Sequence, residues 1–117
     1  MPSADREYVL ARCASLRGAV LEFPFGEDTS VFKVGGKMFA LLGIDDSPGR
    51  VNLKIDPDEG ADLVRAHEAV VPGYHMNKRH WITVTLDGSL PDEFVEDLIA
   101  NSYELVVASL PKRLRPA

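Results

Sequence analysis

Val31-Phe32-Lys33-Val34-Gly35-Gly36-Lys37-Met38-Phe39-Ala40-Leu41-Leu42 is the stretch that decides the fold. Two runs rich in β-branched and aromatic residues flank a Gly-Gly pair. Both central residues of a two-residue hairpin turn need positive φ, which glycine supplies without strain. The segment therefore reads as a β-hairpin, and the pleat sorts its side chains onto two faces. Phe32, Val34, Phe39 and Leu41 are expected on the core side. Val31, Lys33, Met38 and Ala40 are expected on the other, with Lys37 at the hairpin tip.

Upstream, Ser3 can cap a helix whose apolar positions Val9, Leu10, Cys13 and Leu16 recur with helical spacing, and Gly18 would end it. Ala19 to Phe25 reads as a strand, held to a sheet edge because Pro24 has no N–H to donate. Downstream, residues 43–49 form a polar loop and Val51 to Ile55 alternate as another strand. Asp56-Pro57-Asp58-Glu59 carries a cap, a proline at the first helical position and a glutamate three residues after the cap. A short helix is expected to run from there to near Val70. A short strand near Val70 to Tyr74 and a clear one from Trp81 to Leu86 follow. Pro91-Asp92-Glu93 then opens a long helix striped by Phe94, Val95, Leu98, Ile99, Leu105 and Val106, which Pro111 closes. The order α-β-β-β-β-α-β-α predicts an α+β fold: two layers, a mainly antiparallel sheet with helices on one face. Residues 1–111 read as one domain and 112–117 as a loose basic tail.

At 117 residues the chain is long enough for one core without disulfide or metal support. The lone Cys13 cannot form an internal disulfide and reads as a buried thiol, so a reducing cytoplasm is expected. Neither a secretory signal nor a membrane span is visible. A net charge of -5 argues against a general polyanion binder. The acids nevertheless gather at Glu27-Asp28, Asp56 to Asp62 and Asp92 to Asp97, which leaves room for a local basic face.

If the helices cover one face of the sheet, the other stays wet. In the strand after the hairpin, Val51, Leu53 and Ile55 go inward, leaving Asn52 and Lys54 outside. In the last strand Ile82, Val84 and Leu86 go inward, leaving Trp81, Thr83 and Thr85 outside. The open face then offers Lys33, Lys54, Asn52, the two threonines, Met38 and Trp81. Its rim carries His75, Asn77, Lys78, Arg79 and His80, from a segment that concentrates cations and aromatics before a strand. Cations, amides and one large aromatic suit phosphate contacts plus stacking. A solvated sheet face must also show polar residues for no reason but solubility. No nucleophile or paired carboxylate stands near the histidines, so no enzyme is expected. His67, His75 and His80 fit no zinc spacing, so neither metal nor cofactor is expected.

Taken together and in order, Phe23-Pro24-Phe25-Gly26-Glu27-Asp28, Phe32 to Ala40, Asn52-Leu53-Lys54, His75 to Trp81 and Ser102-Tyr103-Glu104-Leu105-Val106 resemble the MmcQ/YjbR family of small bacterial proteins. The resemblance covers nearly the whole chain. It implies a frataxin-like (CyaY-like) fold and a DNA-binding role through a double-wing arrangement of β elements. On the family pattern it points to Lys37, Asn52, Lys54, Asn77, Lys78, His80 and Trp81, with Arg79 as a basic variant. The expected function is DNA binding through Lys33, Lys37, Asn52, Lys54, His75, Asn77, Lys78, Arg79, His80 and Trp81. The alternative is a non-enzymatic domain that binds an acidic protein or a small anionic ligand. A monomer is expected, with no membrane partner. The frataxin-like fold also invites an iron reading, but helix capping explains the acids at Asp56, Asp58, Glu59, Asp92 and Glu93 better.

Overall fold

The glycine hairpin forms as its residues dictate, with Gly35 at φ +58 and Gly36 at φ +84. The computed structural model describes residues 5–44, 47–73 and 76–116. Within them lie three α-helices, α1 (Arg6–Ser15), α2 (Pro57–Ala66) and α3 (Asp92–Ser109). The strands are β1 (Val20–Glu22), β2 (Thr29–Val34), β3 (Lys37–Gly43), β4 (Gly49–Lys54), β5 (Val70–Pro72) and β6 (Trp81–Leu86). They form one antiparallel sheet in the order β1-β2-β3-β4-β6-β5. The fold is α+β, and no described helix is long and apolar enough to cross a membrane.

Local chemistry sets most boundaries. Asp56 caps α2, its carboxylate accepting from the N–H groups of Asp58 (3.2 Å) and Glu59 (3.3 Å). At α1 the cap is Asp5, which accepts from Tyr8 N at 2.9 Å; the expected cap, Ser3, lies outside the described residues. Helix α1 ends at Ser15 with Leu16 as its C-cap, ahead of Gly18. Helix α2 stops at Ala66, earlier than expected, because Ala69 and Val70 are drawn into the core and Val70 opens β5. Strand β1 ends at Glu22 rather than Phe25: after it the chain turns, with Gly26 N donating to Phe23 O (3.2 Å) and Gly26 at φ +106. After Pro111 the exposed residues 112–115 are tied back to the end of α3 by Arg115. Lys112–Leu114 form a short 3-10 turn, and Arg115 Nε donates to Leu110 O at 3.0 Å. A side chain at Gly35 would meet Leu110 Cδ1 at 2.5 Å.

One helix-covered core runs under the sheet. Phe39 is its centre, fully buried, 6.2 Å from the Phe32 ring centroid and 5.4 Å from Tyr103 in an edge-on pair. Leu98, Ile99, Ser102, Tyr103 and Val106 form the buried side of α3; Leu105, expected on that stripe, is only half-buried. Cys13 is buried in the same core, as expected.

The strict alternation assumed for β3 breaks at Phe39. The β2–β3 register shifts between Phe32, which pairs with Ala40, and Lys33, which pairs with Met38. That extra residue is a β-bulge, which turns consecutive side chains to one face. Phe39 and Ala40 therefore both enter the covered core, and Leu41, expected there, is sent to the open face beside Val31. Near the bulge, Ser102 of α3 satisfies two backbone groups: its Oγ donates to Phe39 O (2.6 Å) and accepts from Lys54 N (2.8 Å).

Candidate functional site

The strand directions give the sheet two distinct ends. At one end meet the Gly35-Gly36 turn, the close of β4 at Lys54, the start of β6 at Trp81 and the end of α3, where Lys37 Nζ reaches Ser109 Oγ at 3.4 Å. This hairpin end carries Lys33, Lys37, Lys54, Lys78, Arg79, Lys112 and Arg113. The opposite end holds the first turns of α1 and α3, with Glu7, Asp92 and Glu93, and also Asp28, whose carbonyl accepts from Ile44 N at 2.9 Å. Asp56, Asp58 and Glu59, at the N-terminus of α2, and Glu22, paired with Lys33, are among the acids that stay with the basic end. Despite the overall charge of -5, the hairpin end thus holds a group of cations, while Arg6 and Arg50 stand at the other end.

The open face is less open than the pleat alone suggests. Trp81 points to it as expected, but is only 9% exposed. It packs with Val31 and Leu41 into a small second cluster, flanked by Met38 and Met76. Gly73 makes this possible: its N–H donates to Trp81 O at 2.8 Å, and a Cβ there would lie 2.7 Å from Trp81 Cβ. Apolar area drives the arrangement. A bare indole beside Val31 and Leu41 in water is unfavourable, and two flexible methionines cover it.

Around Trp81 the structure gathers part of the expected site. Lys33, Lys37, Met38, Lys54 and Trp81 line a concavity of about 470 Å³, and Pro24 and Phe25 form its far wall. Lys54 and Trp81 are cross-strand partners, as are Lys33 and Met38. Lys33 Nζ is also paired with Glu22 at 3.0 Å, a partly exposed pair of modest energetic weight.

Asn52 lies on the same face one pair further along, with its polar atoms already engaged. Its Oδ1 accepts from Thr83 Oγ1 (2.6 Å), and its Nδ2 donates to Leu41 O at 3.5 Å. Asn52, half-buried, braces the face, and Thr83, expected to be open, is buried beside it. Asn77 builds its own turn: Oδ1 accepts from Arg79 N at 3.0 Å, and its carbonyl takes Trp81 N at 3.0 Å.

Lys78 and Arg79 belong elsewhere. They line a second concavity of about 420 Å³ beside α2, with Arg65 and Asp58 on its rim and Ile55, Val64 and Ile82 among its apolar walls. Lys78 Nζ folds back to Gly73 O at 3.4 Å. His80 is exposed, and its carbonyl accepts from Ile55 N at 2.9 Å. His75 lies outside the described residues. The expected cations therefore share one end of the molecule but divide between two concavities.

Phe25 is the residue that strand periodicity hides. Alternation groups it with Leu21 and Phe23 on one side of a strand. It stands instead on a turn folded over the open face, 64% exposed. The available signal is Pro24 between two aromatics with Gly26 behind them, a pattern of turn rather than strand. Among the described residues no group of three His, Cys, Asp or Glu could hold a metal ion.

Comparison with known proteins places this architecture. The chain is 35% identical over 107 residues to the uncharacterised protein YjbR of Escherichia coli K12, covering 92% of this chain and 91% of that one. It is 41% identical over 91 residues to uncharacterised YbdF of Escherichia coli O157:H7, covering 78% of this chain and 75% of that one. In three dimensions it superposes on the Deinococcus radiodurans protein DR2400 with a TM-score of 0.86 at 41% identity, over 92% of this chain and 83% of that one. A Pseudomonas syringae protein superposes with a TM-score of 0.74 at 29% identity, over 87% of this chain and 98% of that one. The family model described as YjbR matches residues 14–105, a span that holds the hairpin, Lys54 and Trp81, and the chain belongs to the YjbR family.

Proposed function

We propose that this protein binds nucleic acid, without catalysis, through the hairpin end of its sheet. One observation carries the reading: lysines and arginines from β2, β3, β4, the turn before β6 and the C-terminal turn come to that end, while the acids of the first turns of α1 and α3 lie at the other. Phosphate contacts from clustered cations supply non-specific affinity, and segregated charge allows them despite an acidic total. His67 closes α2 at the other end from His80, so the two described histidines do not form a proton-transfer pair. We also infer a monomer working in a reducing cytoplasm, in keeping with its single cysteine.

The test is fluorescence anisotropy of labelled DNA and RNA pools at low ionic strength, repeated across a salt series. Three to five phosphate contacts predict a slope of log K against log salt of about -2 to -4. Replacing Lys33, Lys37 and Lys54 together with alanine should weaken binding to all sequences alike. The slope should flatten by about one for each phosphate no longer neutralised. Absence of binding to every pool at low salt ends the reading.

The apolar walls of the α2 concavity favour a second reading, in which Arg65, Lys78 and Arg79 meet an acidic, partly apolar protein segment or small anion. Its signature is binding that persists with salt and fails in a Lys78→Ala/Arg79→Ala variant while DNA affinity is retained.

A further inference from the structure

Three features of the Trp81 concavity say more than that the end is basic. The first is its size. At about 470 Å³ it is an open concavity large enough for one small planar group. A base stacked inside a duplex cannot enter such a pocket, whereas an unstacked one can.

The second is the division of labour between its aromatics. Trp81 is packed into the floor beside Met38 and exposes little of its surface. Phe25 stands on the wall with most of its ring in water. An exposed phenylalanine on a proline-glycine turn makes no contribution to the core, and the segment that carries it also exposes Val20, Leu21 and Phe23. A planar ligand would cover the Phe25 face and meet the Met38–Trp81 floor, excluding water from both.

The third is charge. Lys33, Lys37 and Lys54 contribute to the lining from three different strands, the Lys37 ammonium resting 3.4 Å from Ser109 Oγ of α3. Glu22 holds Lys33 at 3.0 Å. An incoming phosphate would compete with the Glu22 carboxylate for that lysine.

We propose that this pocket takes one unpaired nucleotide, its base against Phe25 and its phosphate among Lys33, Lys37 and Lys54, so that the protein engages single strands in preference to duplex. The proposal rests on the nucleic-acid reading and names the form of nucleic acid that the site accepts.

The experiment compares three ligands, a short single-stranded oligothymidine, a blunt duplex of equal length and adenosine monophosphate, on the wild type, Phe25→Ala and Phe25→Trp. Binding of the oligonucleotides is read by anisotropy. The mononucleotide is read by the fluorescence of Trp81, the one tryptophan of the wild-type chain, and by calorimetry for Phe25→Trp. The expected result is single strand bound at least tenfold tighter than duplex. Phe25→Ala should lose about tenfold on the single strand alone, with recovery in Phe25→Trp, as base–aromatic stacking requires. Thermal unfolding should not move in Phe25→Ala, since the ring is exposed. Equal binding of single strand and duplex, untouched by Phe25→Ala, overturns the pocket and leaves the nucleic-acid reading standing. Binding of the mononucleotide that Phe25→Ala abolishes, with neither oligonucleotide bound, does the reverse.

Discussion

The two faces of this sheet are made from the same strands, and they use their side chains differently. The covered face joins Phe32, Phe39, Leu53, Ile82 and Val84 to three helices in one continuous core. The open face has a three-residue cluster, Val31, Leu41 and Trp81, edged by methionines and ringed by lysines. Depth of burial decides what a residue can do: side chains sealed under helices contribute stability, and side chains around a shallow concavity remain available to a ligand. Substitutions on the two faces should therefore separate in kind, one set moving the unfolding transition and the other moving affinity.

The largest effect is expected at Phe39→Ala. Removing the ring beside Phe32 and Tyr103 should cost about 3–5 kcal/mol in urea unfolding. A loss below about 1 kcal/mol would mean that the covered face is not the main source of stability. Ser102→Ala comes next. It strands Phe39 O and Lys54 N together, and about 2 kcal/mol should disappear, with a fall in affinity as Lys54 loses its anchor. Full stability in this variant would show that water replaces the hydroxyl.

The covered face also contains a titrating group. Burial pushes the Cys13 thiol up to about 12 from an ordinary 9.0. Well below pH 9 the thiol is neutral in both states and contributes nothing to pH dependence. Above it the unfolded chain releases a proton that the folded chain keeps, so stability should fall by up to about 1.4 kcal/mol per pH unit until the folded thiol ionises. Cys13→Ala should flatten that alkaline slope in chemical unfolding between pH 9 and 11; an unchanged slope would place the thiol in water.

The smallest effect on stability belongs to the open face. Alanine at Lys33, Lys37 and Lys54 should each shift unfolding by less than about 0.5 kcal/mol while weakening anion binding. A large stability loss there would erase the distinction between the faces.

Much of this is legible in the residues. Gly35-Gly36 announces the hairpin, Asp56-Pro57 announces α2, and β6 begins and ends where its alternation does, at Trp81 and Leu86. The site is half legible: Lys33, Lys54 and Trp81 share the face that alternation assigns them. Ala40 and Leu41 change sides because a single bulged residue resets the period for everything after it. Phe25 escapes a periodic reading because a proline-containing aromatic run looks like an edge strand until the turn is seen.

The sequence by itself determined the order of elements, the hairpin and the placing of apolar residues at intervals that suit helices and strands, since these depend on neighbours within a few residues. Only the tertiary structure decided that α3 lends Ser102 to the β3–β4 junction and that two methionines cover Trp81. It alone divided the cations between two concavities and left Phe25 in water. Those outcomes depend on which distant segments compete for the same apolar area and the same unpaired backbone groups, and no local pattern records the result of that competition.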